Sequence, residues 1–455
     1  MHLQGAQHNP CKGFAGSRLC IARYSKIAIL KHFFSIRILL PKTARDWAGA
    51  DMKDLLNIVG DREAWERFYD YCAANEHNTK KDLADLRQFI DCGGYLAWDE
   101  RFRSGVPFPD AERSVLNKKG TAKKRVVYMF PGEAGLLLKF FAYGLHEYDD
   151  IFPDNLFSFR PNRGVKKAVA DIMAVPDLAD RYVYKLDIHD YFNSVDVERV
   201  IPLAKDVLGE EHPRFFGFLC DFLRNPYVTE QGRRFEERKG IMAGNPLSAF
   251  LANLYLAEMD KAFAERGIPY ARYSDDIIVF GSDRDEIESY REEILGFLAE
   301  KDMTVNPAKV FYAEPGEPWD FLGITYQNGT IDVARASVEK LKHKMKRKAK
   351  ALYRWKVKKG ASDEKAIRAF IRHFNRKLYD NPVKSELTWC RWFFPVITTD
   401  KSLKELDAYM IGNIRFLVTG KHTKANYNLR YETIRGYGFR SLVHAYYEFE
   451  KTAGL

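Results

Sequence analysis

Two neighbouring carboxylates, Asp275 and Asp276, interrupt an apolar run that reads Tyr270-Ala271-Arg272-Tyr273-Ser274-Asp275-Asp276-Ile277-Ile278-Val279-Phe280. Aromatic and β-branched residues on either side favour extended backbone, so the run predicts two short strands around a tight Ser274-Asp275-Asp276 turn. Aspartate favours turns for local reasons of its own. Here, however, the pair stands beside a core built from Tyr273 and Ile277-Ile278-Val279, where adjacent charges repel unless a cation neutralises them. A second strand-like segment, Arg181 to Ile188 (RYVYKLDI), carries another carboxylate, Asp187, at its end. Where two such strands meet, carboxylates converging from both can hold a pair of Mg²⁺ ions.

The rest of the chain sets the scale for this centre. Its 455 residues suit two to three domains, and 46% hydrophobic residues are enough to build cores. A net charge of +10 suits a polyanionic partner, although charge alone is a weak guide. The six cysteines form no CxxC pair, which argues against a disulfide scaffold or zinc ribbon and for a reducing, cytoplasmic setting. The most apolar N-terminal stretch, Ile27 to Leu40, is broken by Lys31 and Arg37, so no membrane span is expected. Residues 1–51 mix basic and apolar residues without period and are expected to be an extension outside the working protein, which would begin at Met52. Residues 52–115 read as helical, Lys123 to Phe130 as a strand, Gly135 to about Tyr148 as a helix, and Pro246 to Arg266 as one long helix. The divisions expected are this extension at 1–51, a region at 52–180 that opens with helices, a mixed strand and helix region at 181–328 with an insertion at about 205–238, and a helical basic region at 329–455. Mixed strands and helices followed by helices alone define an α+β fold with an all-α C-terminal region.

Taken in order, the motifs resemble those of reverse transcriptases. Lys123-Lys124-Arg125 with Val126-Val127 is similar to the basic first fingers block, and Ser158-Phe159-Arg160-Pro161-Asn162-Arg163-Gly164 to the second block of group II intron and related bacterial enzymes. Leu186-Asp187-Ile188-His189-Asp190-Tyr191-Phe192 resembles motif A. Gly240-Ile241-Met242-Ala243-Gly244-Asn245-Pro246-Leu247-Ser248 resembles motif B, Tyr273-Ser274-Asp275-Asp276 is a YxDD box, Asn306-Pro307-Ala308-Lys309 resembles motif D, and Phe321-Leu322-Gly323-Ile324 resembles the primer-grip block.

The resemblance implies a right-hand polymerase with fingers and palm followed by a helical thumb, acting as an RNA-directed DNA polymerase with two Mg²⁺ ions. Asp187, Asp275 and Asp276 become the metal ligands, with the Ile188 carbonyl beside them. Lys124, Arg125 and Arg160 become donors to the incoming deoxynucleoside triphosphate, with Ala243 near the nascent pair; the charged residues could equally be solvated. Phe192 matches the position whose ring excludes a ribose 2′-hydroxyl, or is a core phenylalanine. Lys309 matches a lysine able to protonate pyrophosphate, or is an ordinary surface lysine. Tyr273, Phe321, Leu322 and Gly323 fall to the nucleic-acid side. Motif B carries Met242-Ala243-Gly244 where this family usually has Pro-Gln-Gly, which removes a glutamine from beside the base pair.

No RNase H, integrase or Cys/His-rich endonuclease pattern follows Ile324. Val418-Thr419-Gly420 lies too far downstream for a retron enzyme, and the NAxxH element is absent. Tyr427-Asn428-Leu429 and Gly436 to Val443 look more like the stand-alone defence-associated bacterial enzymes of the unknown group, specifically type 2. That resemblance implies an antiphage role and a cognate non-coding RNA as template, with a DNA primer or product. A group II maturase or a non-catalytic RNA-binding scaffold are the alternatives. Between Glu339 and Gly360, eleven Lys or Arg face one acid. Leu341, Met345, Ala349, Leu352 and Trp355 recur at helical spacing, so one stripe packs while Lys344, Arg347, Lys348 and their neighbours cover the rest. This helix is expected to track template–primer phosphates, unless it is a solvated or membrane-lying face.

Overall fold

The computed structural model describes residues 54–74, 78–117, 124–161, 163–379 and 388–452. The expected extension at 1–51, the start at Met52, and most of the turn expected at Asn117 to Thr121 lie outside them. The described residues form two compact units, one up to Ala334 together with Thr388, and one of Arg335–Tyr379 with the residues from Trp389 onward, whose regular elements are all helices. No described helix is long and apolar enough to cross a membrane.

The first unit opens with helices Arg62–Ala74, Lys80–Asp91 and Gly94–Arg103. Trp65, fully buried, stacks on Phe140 of helix Gly132–Gly144 at 4.1 Å and donates from its indole to the Val59 carbonyl. Helical periodicity holds only as far as Arg103. Residues Ala111–Asn117 instead form a strand, β1, because β2 (Lys124–Met129) offers an antiparallel ladder that local periodicity cannot reveal. Strands β3 (Tyr182–Asp187), β4 (Tyr227–Glu230), β5 (Arg233–Glu236), β6 (Tyr270–Tyr273), β7 (Asp276–Gly281), β8 (Phe311–Ala313), β9 (Trp319–Phe321), β10 (Ile324–Gln327) and β11 (Thr330–Val333) follow.

Three sheets result, ordered β2-β1-β4-β5, β6-β7-β3-β8 and β11-β10-β9. The central sheet is antiparallel throughout, with β3 between β7 and β8. Helices Val197–Leu208, Ser248–Tyr255 and Arg284–Glu300 lend Val200, Leu251 and Ile294 to the core, each essentially inaccessible. Pro246 to Arg266 is not one helix. It breaks at Leu256 (φ −114°, ψ 9°) into Ser248–Tyr255 and Ala257–Glu265, with no Gly or Pro to announce the break.

In the second unit, helix Arg335–Lys359 packs on Lys401–Thr419 and Asp363–Leu378 through Val338, Leu341, Met345 and Ala349. The packed stripe departs from expectation at its end. Trp355 is 36% exposed, whereas Lys356 is buried and donates to Asp363 and to the Leu417 and Val418 carbonyls. Helical drift brings Lys356 under the neighbouring helix terminus, where free carbonyls can take an ammonium.

Candidate active site

Period-two alternation and ladder register bring the acidic residues together. In the β3–β7 ladder Asp187 lies directly opposite Asp276, and the β6–β7 turn carries Asp275. The Ile188 N–H donates to the Asp275 carbonyl at 2.9 Å, locking the turn against the strand end. Carboxylate oxygens of Asp187, Asp275 and Asp276 lie within 4.8 Å of one another, and Asp187 is buried. An all-oxygen, trianionic donor set fits a hard divalent cation. The electrostatics agree. Burial first, and then the neighbouring carboxylates, push the Asp276 carboxyl up to about 6 and raise that of Asp275. Lys309, from the Pro307–Lys309 turn, relieves part of the repulsion by ion-pairing with Asp187, while the Asn306 N–H holds the Asp187 carbonyl at 2.9 Å.

What holds the turn was not read from the sequence. Ser274 has φ 60° at the first turn position, where glycine is ordinarily preferred. Its N–H donates to Ser158 Oγ at 2.9 Å, and Ser158 Oγ in turn donates to Asn253 Oδ1 at 3.2 Å. Beneath the turn Arg272, fully buried, pairs with the equally buried Asp260 at 2.9 Å and donates to the Asn253 carbonyl at 3.2 Å. Tyr270 Oη completes Asp260 at 2.9 Å. Two signals pointed here: a charge among Leu256, Met259 and Phe263, and an arginine sharing a strand face with Tyr270. Other non-glycine residues with positive φ also fall in the motifs, at Phe159 (58°), Asp190 (46°), Met242 (66°) and Leu322 (48°), as strain does around working sites.

Motif B is stitched to both neighbours. The Tyr128 N–H of β2 donates to the Ala243 carbonyl at 2.8 Å, the Ala243 N–H to Asn193 Oδ1 at 3.1 Å, and the Ile241 N–H to the Phe192 carbonyl at 3.0 Å. Gly240 (φ 52°) has no room for a side chain, since a Cβ there would lie 2.6 Å from the Phe192 carbonyl oxygen. Phe192 is half-buried, its ring edge-on to Phe159 at 5.9 Å. Lys124 and Arg125 stand exposed at the start of β2, opposite Asn117 and Leu116 at the loop end of the β1–β2 ladder.

Arg160 is a correction. All five of its N–H donors are engaged within the protein, by the Asp149 carboxylate and carbonyl and the Pro153 and Leu156 carbonyls, and the side chain is buried. It braces the segment that carries Ser158 and has no donor left for a triphosphate. Tyr273 is half-buried, and burial raises its hydroxyl. Phe321 is buried, and Leu322-Gly323 form the two-residue turn joining β9 to β10. Lys344 and Arg347 are exposed and Lys348 half-exposed on the helix of the second unit.

Three carboxylates thus converge on the strand end and hairpin turn of an antiparallel sheet. Residues 116–326 match the family model described as reverse transcriptase (RNA-dependent DNA polymerase). The Retron Mx65 reverse transcriptase of Myxococcus xanthus is 27% identical over 208 residues, covering 42% of this chain and 46% of that protein. The chain thus spans about half the length of that curated relative. Among solved structures, the apo telomerase of Candida tropicalis, truncated from its C-terminal domain, superposes with a TM-score of 0.40 at 13% identity over 53% of this chain and 60% of that one. The telomerase of Candida albicans with a TWJ fragment of telomeric RNA gives 0.40 at 12% identity, over 81% and 71% respectively.

Proposed function

We propose that this protein is an RNA-directed DNA polymerase that copies an RNA template into DNA from deoxynucleoside triphosphates. The observation that carries this reading is the convergence of Asp187, Asp275 and Asp276 within 4.8 Å, inside the segment that matches the reverse transcriptase model. The three carboxylates, with the Ile188 carbonyl, would hold two Mg²⁺ ions. When bound, such ions supply Lewis-acid activation of a primer 3′-hydroxyl and neutralise charge on departing pyrophosphate. Everything else falls to side chains. Phe192 fills the space above the ribose and excludes a 2′-hydroxyl. Lys124 and Arg125 pair with triphosphate oxygens. Lys309, ion-paired with Asp187, sets its Nζ beside the carboxylates, within reach of departing pyrophosphate as a proton donor. Ala243 borders the nascent pair, Tyr273 and Phe321-Leu322-Gly323 hold the primer strand, and Lys344, Arg347 and Lys348 bind phosphates.

The setting is bacterial antiphage defence in the cytoplasm, with a cognate non-coding RNA as template. What supports it is the likeness of the C-terminal sequence to the defence-associated enzymes. Primer extension on an RNA template with Mg²⁺ tests the activity. Asp275→Asn with Asp276→Asn should slow extension at least about a hundredfold, the scale of losing one preorganised electrostatic partner, with the circular dichroism spectrum retained. Extension at the wild-type rate would place the metal site elsewhere.

A further inference from the structure

The C-terminal unit carries a surface that the polymerase reading does not use. Helix Lys401–Thr419 ends at Gly420, and the chain then runs through Lys424–Asn428 into helix Tyr431–Gly436. Tyr427 stands at the tip, 69% exposed, with the Arg415 guanidinium 4.6 Å from its ring centroid, and Tyr431 is 38% exposed four residues on. Among the large hydrophobic side chains of the described residues, none is more exposed than Tyr427. The loop beneath them is fixed. Buried Asn426 donates to the Lys421 carbonyl at 2.6 Å and accepts from Thr419 Oγ1 at 2.7 Å, while Arg415 Nε donates to the Leu429 carbonyl at 3.3 Å. The exposed ring is therefore presented by a braced loop. From Lys421 to Arg440 the surroundings carry Lys421, Lys424, Arg430, Arg435 and Arg440 against Glu432 alone.

We propose that this surface binds an unpaired polynucleotide strand, with nucleobases stacked on Tyr427 and Tyr431 and phosphates held by Lys424, Arg430 and Arg435. An aromatic face backed by a guanidinium offers a base its π-system, and scattered cations follow a backbone without reading sequence. A protein hot spot would instead set its aromatics in a desolvated apolar patch, and here the neighbours are Lys424, Asn428 and Arg430, all exposed. The inference goes beyond the polymerase reading and does not depend on it, since such a surface would bind a strand in a chain that never formed a bond.

The test uses the full chain and fluorescein-labelled single-stranded 12-mers, one RNA and one DNA, read by anisotropy in about 0.15 M salt, the physiological range. Tyr427→Ala with Tyr431→Ala should weaken binding about tenfold or more, while the paired Phe variants, which keep the rings, should stay within about twofold of wild type. Which probe shows the larger loss tells RNA from DNA as the strand. A 4-thiouridine RNA of the same length should crosslink to the peptide containing Tyr427, and the Ala pair should lose that crosslink. Wild-type affinity and an unchanged crosslink pattern in the Ala pair overturn the proposal. So does polyglutamate displacing the strand equally well from wild type and from the Ala pair, which would mark an ordinary basic surface for acidic proteins. Primer extension is measured separately, so a wild-type protein that fails to extend sinks the polymerase reading and leaves this result standing.

Discussion

Around Asp187 three carboxylates crowd within 4.8 Å, and the turn that carries two of them rests on the fully buried Arg272–Asp260 pair. Along Arg335–Lys359 the opposite holds: cations stand in water along a helix whose other face is packed by Val338, Leu341, Met345 and Ala349. Both regions concentrate one sign of charge, yet only the first fixes its groups individually. Chemistry at a single bond needs each oxygen set to a fraction of an ångström, so the turn is determined from beneath by many bonds. Holding a polyanion needs only a field, which is shared among residues and tolerates the loss of any one. Within the basic helix the contrast recurs in miniature. Lys342, paired with Glu339 and Glu405, and Lys356, paired with Asp363, are structural, and the exposed Lys344 and Arg347 remain on the outward face.

Breaking the brace under the turn should have the largest effect. Asp260→Asn leaves Arg272 buried and without its carboxylate, which should cost about 3–5 kcal/mol and lower Tm by ~10 °C in a thermal melt. A Tm within a degree or so of wild type would mean that the pair is not what holds the strand. The chemical side of the same region is probed by Phe192→Ala. Opening the space above the ribose should raise ribonucleotide relative to deoxynucleotide incorporation by about tenfold or more, the scale of one group filling a pocket. An unchanged ratio returns Phe192 to the core.

The basic helix should respond in the opposite manner. Replacing Lys344, Arg347 and Lys348 together with Gln should leave Tm nearly unmoved, because surface changes of this kind stay within about 0.5 kcal/mol each. Template–primer affinity should fall for every sequence, and the slope of log K against log salt should flatten by up to about 0.9 for each phosphate no longer neutralised. Processivity should drop more than single-nucleotide addition. A wild-type salt slope with full-length extension would remove this helix from the duplex.

The smallest effect tests the pattern set by the buried Arg272–Asp260 pair, in which each charge meets its opposite. Glu147 breaks it, because its Oε1 is buried without a partner and burial, then Glu211, push the carboxyl from its ordinary 4.5 up to about 7. A folded value above the unfolded one gives stability that is complete below about pH 4.5 and is lost as pH rises through 7. Glu147→Gln should therefore raise Tm by a few degrees at pH 8 (about 2–4 °C per kcal/mol) and by less at pH 5. An equal gain at both pH values would show that ionisation is not the cause.

Much of the centre was legible because it is local. The alternation in Tyr270 to Phe280 and Arg181 to Ile188 specifies strands, the acidic turn follows from composition, and register then puts Asp187 opposite Asp276. The same holds for the stripe through Leu341, Met345 and Ala349, which helical period alone predicts. Tertiary structure decided the rest, because partners distant in sequence decide where hydrogen bonds and charges go. Ala111–Asn117 is a strand only because β2 pairs with it, and the helix break at Leu256 has no Gly or Pro to mark it. Arg160 reads as a substrate donor until Asp149 and two carbonyls surround it, and Lys356 displaces Trp355 from the packed stripe because helix Lys401–Thr419 ends above it. A sequence records which side chains carry charge; whether that charge meets solvent, a substrate or a buried partner depends on what the fold packs against it.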